Sequence, residues 1–378
     1  MQHLLIANPE NRRVAFFQSA LKKLNLAPAR VVSYEAAIDD FGLLEDALEA
    51  DSILRIESPG ENEIVTRKLI ALGAENPERD PFVRARFIST AEAMSLTVDE
   101  GRLQHVAQWY YGYSKFLSSI TALTNQRSIR FHNHPADIEM MFDKRRTQAV
   151  LVEADVTVPQ VVQGIECCEH LLQRMADEQL SRVFVKMAFS SSAAGVLALW
   201  RSRSGDLRAV TPVEIEYVDG TARFYNNLQM QTYTEPEQIA QIIDFILAEG
   251  AQIEHWLPKA SIRERNFDLR ILVVKGKPQH CVVRTSRSPI TNLHLGNRRG
   301  DLDELKRLVG QAKWKAAMSV AEKASSIVSR SLYVGVDLLL KPGYRDPTVL
   351  ELNAFGDLLP NVLDGNRDTY EAEIAATL

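Results

Sequence analysis

The chain has 378 residues, enough for one to three domains and a large buried core. Hydrophobic residues make up 46% and charged residues 25%, an ordinary globular balance without a disorder signature. A formal net charge of −5 argues against a nucleic-acid partner held by phosphate neutralisation, while leaving room for a local Lys/Arg cluster that binds a small anion.

The N-terminal run MQHLLIANPENRR reads as a first strand, His3–Ala7, rather than a signal peptide. No apolar run is long enough to span a bilayer, so the protein is expected in the cytoplasm, away from membranes. Glu10–Leu24 carries apolar residues at helical spacing, and Ala29–Tyr34 is apolar and β-branched again. After the acidic stretch Ile38–Asp51 come the strand Ser52–Ile56, a Ser58-Pro59-Gly60 turn and the helix-like Glu61–Leu72. This alternation predicts a small parallel α/β domain over residues 1–80. No Gly-x-Gly-x-x-Gly follows its first strand, which speaks against a dinucleotide site there.

Residues 81–134 read as mainly helical and aromatic, centred on QWYYGYSKFL. Trp109, Tyr110, Tyr111 and Tyr113 are expected to pack helices, with a substrate cleft as the alternative. In HNHPADIEMMFDK, Pro135 suits a first helical position and Asp137 the positive end of the helix dipole. His132 and His134 have no third His or Cys nearby and are assigned turn and capping roles rather than metal ligation. The three cysteines, Cys167, Cys168 and Cys281, form no CxxC spacing and read as buried thiols.

Further on, strands alternate with loops and helices. Arg182–Met187 and Val196–Trp200 form a hairpin whose tip is the small-residue loop Ser190–Gly195, and Glu237–Ala248 is a helix. Leu269–Val274 and His280–Thr285 form a second hairpin around Lys275-Gly276-Lys277. Asp301–Arg330 is a long helical stretch, followed by strands Tyr333–Leu340 and Thr348–Leu352.

The chemistry is concentrated in the last two thirds. Glu351 and Asn353 project from one face of a strand, and Asp337 joins that face if its strand pairs antiparallel. Two carboxylates and an amide oxygen suit magnesium, and acids in such apolar strands are costly unless they find a partner. Lys186 ends an apolar strand just before Ser190–Gly195, where it can reach phosphate oxygens under serine hydroxyls and backbone N–H groups. Asp268, Arg270 and Arg284 mark the second hairpin, and both arginines can bond phosphate in a bidentate manner. The plain alternative is an exposed edge where Asp268 and Arg270 pair across solvent. Lys144, in MFDKRRTQAVL, reads by itself as a solvated charge.

The order of these pieces resembles the ATP-grasp superfamily, nearest to carboxylate–amine ligases of the RimK and glutathione synthetase type. The resemblance covers about Pro135 to Pro360, and its most specific pieces are NFDLRILVVKGKP, VVRTSRSPITNLHLGN and GVDLLL…VLELNAFG. It implies an α/β (α+β) ATP-grasp fold: a pre-ATP-grasp domain over 1–80, a helical insertion over 81–134, a lid-bearing subdomain over 135–255 and a metal-bearing subdomain over 256–378. It further implies that Lys144 and Lys186, with Ser191 and Ser192 of the lid, contact the ATP phosphates. Glu254, His255, Trp256 and Leu257 would form the adenine hinge, and Asp268 would hold the ribose or order the site. Arg284 and Asn292, with Arg270 beside them, would serve the transferred phosphoryl group, and Asp337, Glu351 and Asn353 would hold Mg2+, with Mn2+ as a substitute. The implied reaction is ADP-forming ligation of a small carboxylate to an amine, or of a peptide, through an acyl-phosphate.

Three departures stand out. The lid AFSSSAAGV is poor in glycine, the connection from hinge to Asp268 is long, and Ile290 stands where close relatives have an arginine, leaving Arg287 as the candidate replacement. The first and third support an alternative, a protein that binds ATP without ligating. A P-loop kinase and a serine hydrolase are disfavoured because neither Gly-x-x-x-x-Gly-Lys-Ser/Thr nor Gly-x-Ser-x-Gly occurs.

Overall fold

Apolar strand segments gather into three sheets, each from its own stretch of the chain. The computed structural model describes residues 2–75, 80–125, 127–191 and 193–378. In the first sheet β1 (His3–Ala7), β2 (Arg30–Ser33), β3 (Ile53–Ile56) and β4 (Arg130–Phe131) run parallel in the order β2-β1-β3-β4. β1 and β3 are buried at every residue, as parallel strands covered on both faces must be. The crossovers are α1 (Arg12–Lys23), then α2 (Tyr34–Asp39) with α3 (Gly42–Ala47), then α4 (Glu63–Leu72), α5 (Thr90–Met94) and α6 (Val106–Thr124). Asn11, Ser33 and Asn62 cap α1, α2 and α4 by accepting from Arg13, Ala36 and Val65 backbone N–H groups.

The stretch 81–134 contributes directly to this sheet, since β4 is its fourth strand. Helices α4 and α6 cross where Gly73 and Gly112 face each other's backbone; a Cβ on Gly112 would lie 1.8 Å from the Leu69 carbonyl oxygen. The aromatics of α6 serve that packing: Tyr110 and Tyr113 are buried, Trp109 lies against Tyr113 and Phe142, and Tyr110 stacks on Phe189 at 4.2 Å.

Two short helices, α7 (Pro135–Phe142) and α8 (Lys144–Glu153), lead to the second sheet. His134 caps α7 by accepting from the Ala136 N–H at 3.2 Å, and Asp137 in its first turn pairs with Arg330 at 2.7 Å. His132 is fully buried against His3, with ring nitrogens 3.3 Å apart. After α9 (Cys168–Asp177) come β5 (Arg182–Met187), β6 (Val196–Arg201), β7 (Leu207–Val218), β8 (Thr221–Tyr233), α10 (Pro236–Ala248) and β9 (Ala251–His255). The strands pair antiparallel in the order β8-β7-β6-β5-β9, and the apolar faces of α9 and α10 pack on them.

The third sheet, also antiparallel, contains β10 (Ser261–Ile262), β11 (Arg265–Val274), β12 (Lys277–Ser286), β13 (Arg298–Arg299), β14 (Tyr333–Lys341) and β15 (Arg345–Asn353). Its order is β13-β12-β11-β14-β15, with β10 on β11. Between β13 and β14 the single helix expected over Asp301–Arg330 is two, α11 (Leu302–Val309) and α12 (Gln311–Ser325), because Gly310 sits at φ 78° and ends the first. The last helix, α13 (Thr369–Thr377), returns to α1, where Tyr370 and Ile374 join Leu5 and Phe17 in one core.

A buried ionic cluster ties this return to the first sheet. Arg55 of β3 is 0% exposed and donates to Glu57 at 2.6 Å, to Glu373 of α13 at 2.6 Å, and to Asp357 beyond β15. Its guanidinium is also surrounded by the rings of Phe17, Tyr333 and Tyr370 at 4.9 to 5.1 Å. Arg13 adds bonds of 2.8 Å to Asp357 and to the Phe355 carbonyl. Among the described residues no helix is long and apolar enough to cross a membrane. Cys168 and Cys281 are buried, Cys167 is partly so, and all are free thiols.

Candidate functional site

The second and third sheets enclose a cavity of about 520 Å³, to which the start of α1 and the loop after β15 also contribute. From the second sheet's side, Asp143 caps α8 and sets Lys144 at its first position, while β5 carries Lys186 to its end. Lys144 bonds the Ser190 carbonyl and lies 3.4 Å from Glu351. Lys186 lies 2.5 Å from Glu254, a carboxylate only 2% exposed on the neighbouring β9. Ser191 of the intervening loop is exposed and lines the cavity, as does Ala193; Ser192 lies outside the described residues. Ser190 Oγ donates to the Ala194 carbonyl at 2.7 Å, closing the loop on itself.

The expected hinge is the end of β9. Glu254, His255 and Leu257 line the cavity, but Trp256 does not; its ring packs against Phe184 at 5.1 Å and under Arg182. The side chain of Glu254 holds Lys186, so its place in the site is a charge partner as well as a backbone segment.

Across the cavity, Asp268 is not at a solvent edge. β11 lies between β12 and β14, and Asp268 is 1% exposed. Its oxygens accept from Arg284 at 2.7 Å, from Lys259 at 2.9 Å and from the Thr291 hydroxyl. Burial alone would push this carboxyl up, yet the charges of Arg284 and Lys259, with hydrogen bonds from Arg284 and Thr291, hold it well below the usual range. Burial lowers the Lys259 pKa, with Asp268 opposing. Lys259 and Thr291 were invisible to sequence reasoning: one sits in a connection, the other beside Asn292, and only the fold brings both to Asp268.

Asp337 on β14 stands directly opposite Glu351 on β15, and Asn353 opposite Gly335. Asp337 is gripped by Arg270, whose Nη2 lies 3.1 Å away, and by Arg284 Nη2, also at 3.1 Å. These arginines offset the burial that would raise its pKa, and the result is a lowered value. Gly335 and Gly356 touch so closely that a Cβ on Gly335 would lie 2.6 Å from the Gly356 Cα, which fixes the strand end bearing Asn353. The buried Nδ2 of Asn353, a donor, has no hydrogen-bond partner. Among the described residues no group of three His, Cys, Asp or Glu could hold a metal. Two carboxylates and an amide nevertheless suit magnesium, which keeps waters and phosphate oxygens as its other ligands.

Asn292 lines the cavity, and so does Ile290, whose side chain is 6% exposed. Ile290 packs with Leu295 against Val196, Ala193, Phe184 and Met230, joining the loop after β12 to the tip of the β5–β6 hairpin. Arg287 is exposed and does not line the cavity. Sequence reasoning also missed three arginines that do line it, Arg12 and Arg13 of α1 and Arg299 of β13.

No family model matches the chain, and no curated protein matches it. Solved structures do match. D-cycloserine synthetase DcsG superposes with a TM-score of 0.55 at 12% identity, covering 100% of this chain and 99% of its own. The ATP-grasp ligase PsnB, complexed with a phosphomimetic variant of a minimal precursor, Mg and ADP, gives 0.55 at 13% identity and covers 100% and 98%. The macrocyclase MdnC, bound with precursor peptide MdnA from Microcystis aeruginosa MRC, gives 0.52 at 11% identity and covers 100% and 99%.

Proposed function

We propose that this chain, which has the ATP-grasp fold, uses Mg-ATP to activate a carboxylate as an acyl-phosphate and joins it to an amine. The observation that carries the proposal is the single cavity in which Lys144, Lys186 and Glu254 from one side meet Arg284, Asp337 and Glu351 from the other. Such a set has the charge and the hard oxygens that a triphosphate and its metal require.

In this reading Lys144 and Lys186 bind phosphate oxygens, and Glu254, His255 and Leu257 border the adenine. Magnesium, held by Asp337, Glu351 and Asn353, would supply charge neutralisation between phosphate groups. Arg284, with Arg270 and Asn292, holds the γ-phosphoryl group while a substrate carboxylate oxygen attacks phosphorus and ADP leaves. The amine nitrogen then attacks the acyl carbon, Arg284 stabilises the tetrahedral oxyanion, and phosphate departs with the electron pair of the C–O bond. Asp268 acts through Arg284 and Lys259, fixing the cations rather than touching ribose. Loop 190–195 shields the acyl-phosphate from water, held down by Ile290 and Leu295.

A peptide acceptor is the second reading. The solved complexes of PsnB and MdnC with precursor peptides favour it. The α6 aromatics, which pack inside the helical layer, do not.

The test is a hydroxylamine trap: protein, Mg-ATP, a pool of carboxylates and hydroxylamine, with mass spectrometry for hydroxamates and an ADP assay. Hydroxamate with ADP supports the acyl-phosphate route and identifies the acid. AMP in place of ADP refutes it, and nucleotide binding without either product returns weight to the non-ligating alternative.

A further inference from the structure

We propose that the acid activated in this cavity carries a second anionic group, held by Arg12 and Arg299. The inference rests on the ligase reading of the same site and adds the chemical class of its substrate.

The argument begins with charge. Eight Lys and Arg side chains line the cavity against four Asp and Glu, and Arg13 is neutralised by Asp357 just outside the lining, which leaves a formal excess of three positive charges. Mg-ATP, with about four phosphate charges offset by the metal's two, and the carboxylate to be activated together balance that excess. A second anionic group adds a further negative charge, and the pairing of the individual cations decides whether there is a place for it.

Pairing within the cavity shows where that charge belongs. Lys144, Lys186, Lys259, Arg270 and Arg284 each lie against a carboxylate of the cavity itself. Arg13 is committed to Asp357 and the Phe355 carbonyl at 2.8 Å. Two cations remain. Arg12, exposed at the first position of α1, has no ion pair or hydrogen bond among the described residues. Arg299, exposed on β13, donates to the Pro360 carbonyl at 2.7 Å and has no carboxylate partner.

Both are braced on one loop. Arg13 anchors the start of α1, and so the backbone of Arg12, to Phe355, while Arg299 grips the other end at Pro360. The backbone of Arg12 and the side chain of Arg299 are fixed in this way, and the free guanidinium donors of both are flat pairs that match a carboxylate in a bidentate manner. The Ser58 hydroxyl on the same lining adds a neutral donor or acceptor.

The experiment compares diacids from malonate to suberate with monoacids of equal length in the hydroxylamine assay. A parallel arm compares N-acetyl-Glu-Glu-amide with N-acetyl-Glu-Gln-amide, separating a free diacid from a peptide source of the same chemistry. The expected result is a preference of about 10- to 100-fold in kcat/KM for the acid with the extra carboxylate, carried mainly by KM. Arg12→Met or Arg299→Met should erase that preference while leaving the KM for ATP and the melting midpoint unchanged. Equal use of monoacids, or a preference that survives both substitutions, overturns the proposal and leaves the ligase reading intact. If no acid yields ADP or hydroxamate, the ligase reading fails. The same acids are then titrated by calorimetry with Mg and a non-hydrolysable ATP analogue. Diacid-selective binding lost in the Arg12→Met protein supports the subsite; binding that does not discriminate, or no binding, overturns it.

Discussion

Replacing Arg55 with methionine should cost about 4 to 5 kcal/mol of unfolding free energy at neutral pH, the upper part of the range for breaking a buried ion pair. Each of its carboxylate contacts is worth roughly 4 kcal/mol at an effective dielectric of about 20. Three such contacts, to Glu57, Asp357 and Glu373, give a gross attraction of about 12 kcal/mol that desolvation of the ions offsets in large part. The methionine substitution removes the attraction but leaves the three carboxylates buried, with Arg13 as the cation nearest to Asp357 and Glu57. The loss should also depend on pH, and the sign follows from the acids. Burial already raises the Glu373 pKa well above its ordinary value against the pull of Arg55, whereas Arg13 and Arg55 keep Asp357 lowered despite burial. Without Arg55 both shift upward, so the variant takes up protons on folding and gains stability, relative to wild type, as pH falls from neutral toward about 5. Urea unfolding followed by circular dichroism at pH 7 and pH 5.5 measures both effects. A loss below about 1 kcal/mol, or one equal at the two pH values, would refute the account. Glu373→Gln, which leaves Arg55 its ion pairs with Glu57 and Asp357, should cost less than Arg55→Met.

Four further outcomes are expected. Glu351→Gln should lower kcat by at least about 1,000-fold with the melting midpoint unchanged, since its side chain is 30% exposed and pairs only with Lys144. Lys186→Met should also abolish turnover but, unlike Glu351→Gln, should lower the midpoint, because Glu254 is left buried and unpaired; adding Glu254→Gln should recover much of that loss. Asp268 contributes stability that is present above its unfolded pKa of 3.8 and lost as pH falls through the lower folded value, so acid unfolding of Asp268→Asn should be less steep than that of wild type. Gly112→Ala should cost about 3 kcal/mol by forcing α4 and α6 apart, read as a lowered thermal midpoint.

What was legible in the sequence had a local cause. The strands and helices expected up to Leu72 lie within two residues of their expected ends because continuous apolar runs, Asn caps and a Pro-Gly turn mark them, whereas the short helices α2 and α3 were not expected. Local signals were also present where they went unread. Asp219 and Gly220, at φ 49° and 77°, form the turn between β7 and β8, and an Asp-Gly pair between alternating strands is a strong hairpin signal. Pro212 lies within β7, and the register shift between Thr211 and Val213 accommodates it. Gly310 likewise announced the break between α11 and α12. Nothing local announces Arg55. In SILRIESPG it reads as one polar residue in an apolar strand, and two of its three carboxylate partners lie 302 and 318 residues away.

The candidate site was legible in its members but not in its wiring. Asp337, Glu351, Lys186 and Arg284 were identifiable from residue type and strand position and Lys144 only from the resemblance, yet the sequence offered no reason to expect carboxylates to hold the cations. Lys144 sits near Glu351, Lys186 on Glu254, and Arg270 and Arg284 on Asp337. On the ligase reading proposed above, this arrangement answers the charge problem of a site for a triphosphate and its metal. Cations and anions that later address separate ligands must lie in one cavity, and a desolvated charge left alone costs several kcal/mol. Pairing them with each other removes most of that cost and holds their side chains near working positions. On that reading nucleotide and metal entry would be an exchange of partners, with phosphate taking the lysines and arginines while magnesium takes the acids. Because each cation gives up one anion as it gains another, the net gain per contact is modest, and affinity depends on nucleotide and metal arriving together. Arg12 and Arg299 fall outside this exchange: neither has a carboxylate to give up, which is why their charge remains for the substrate.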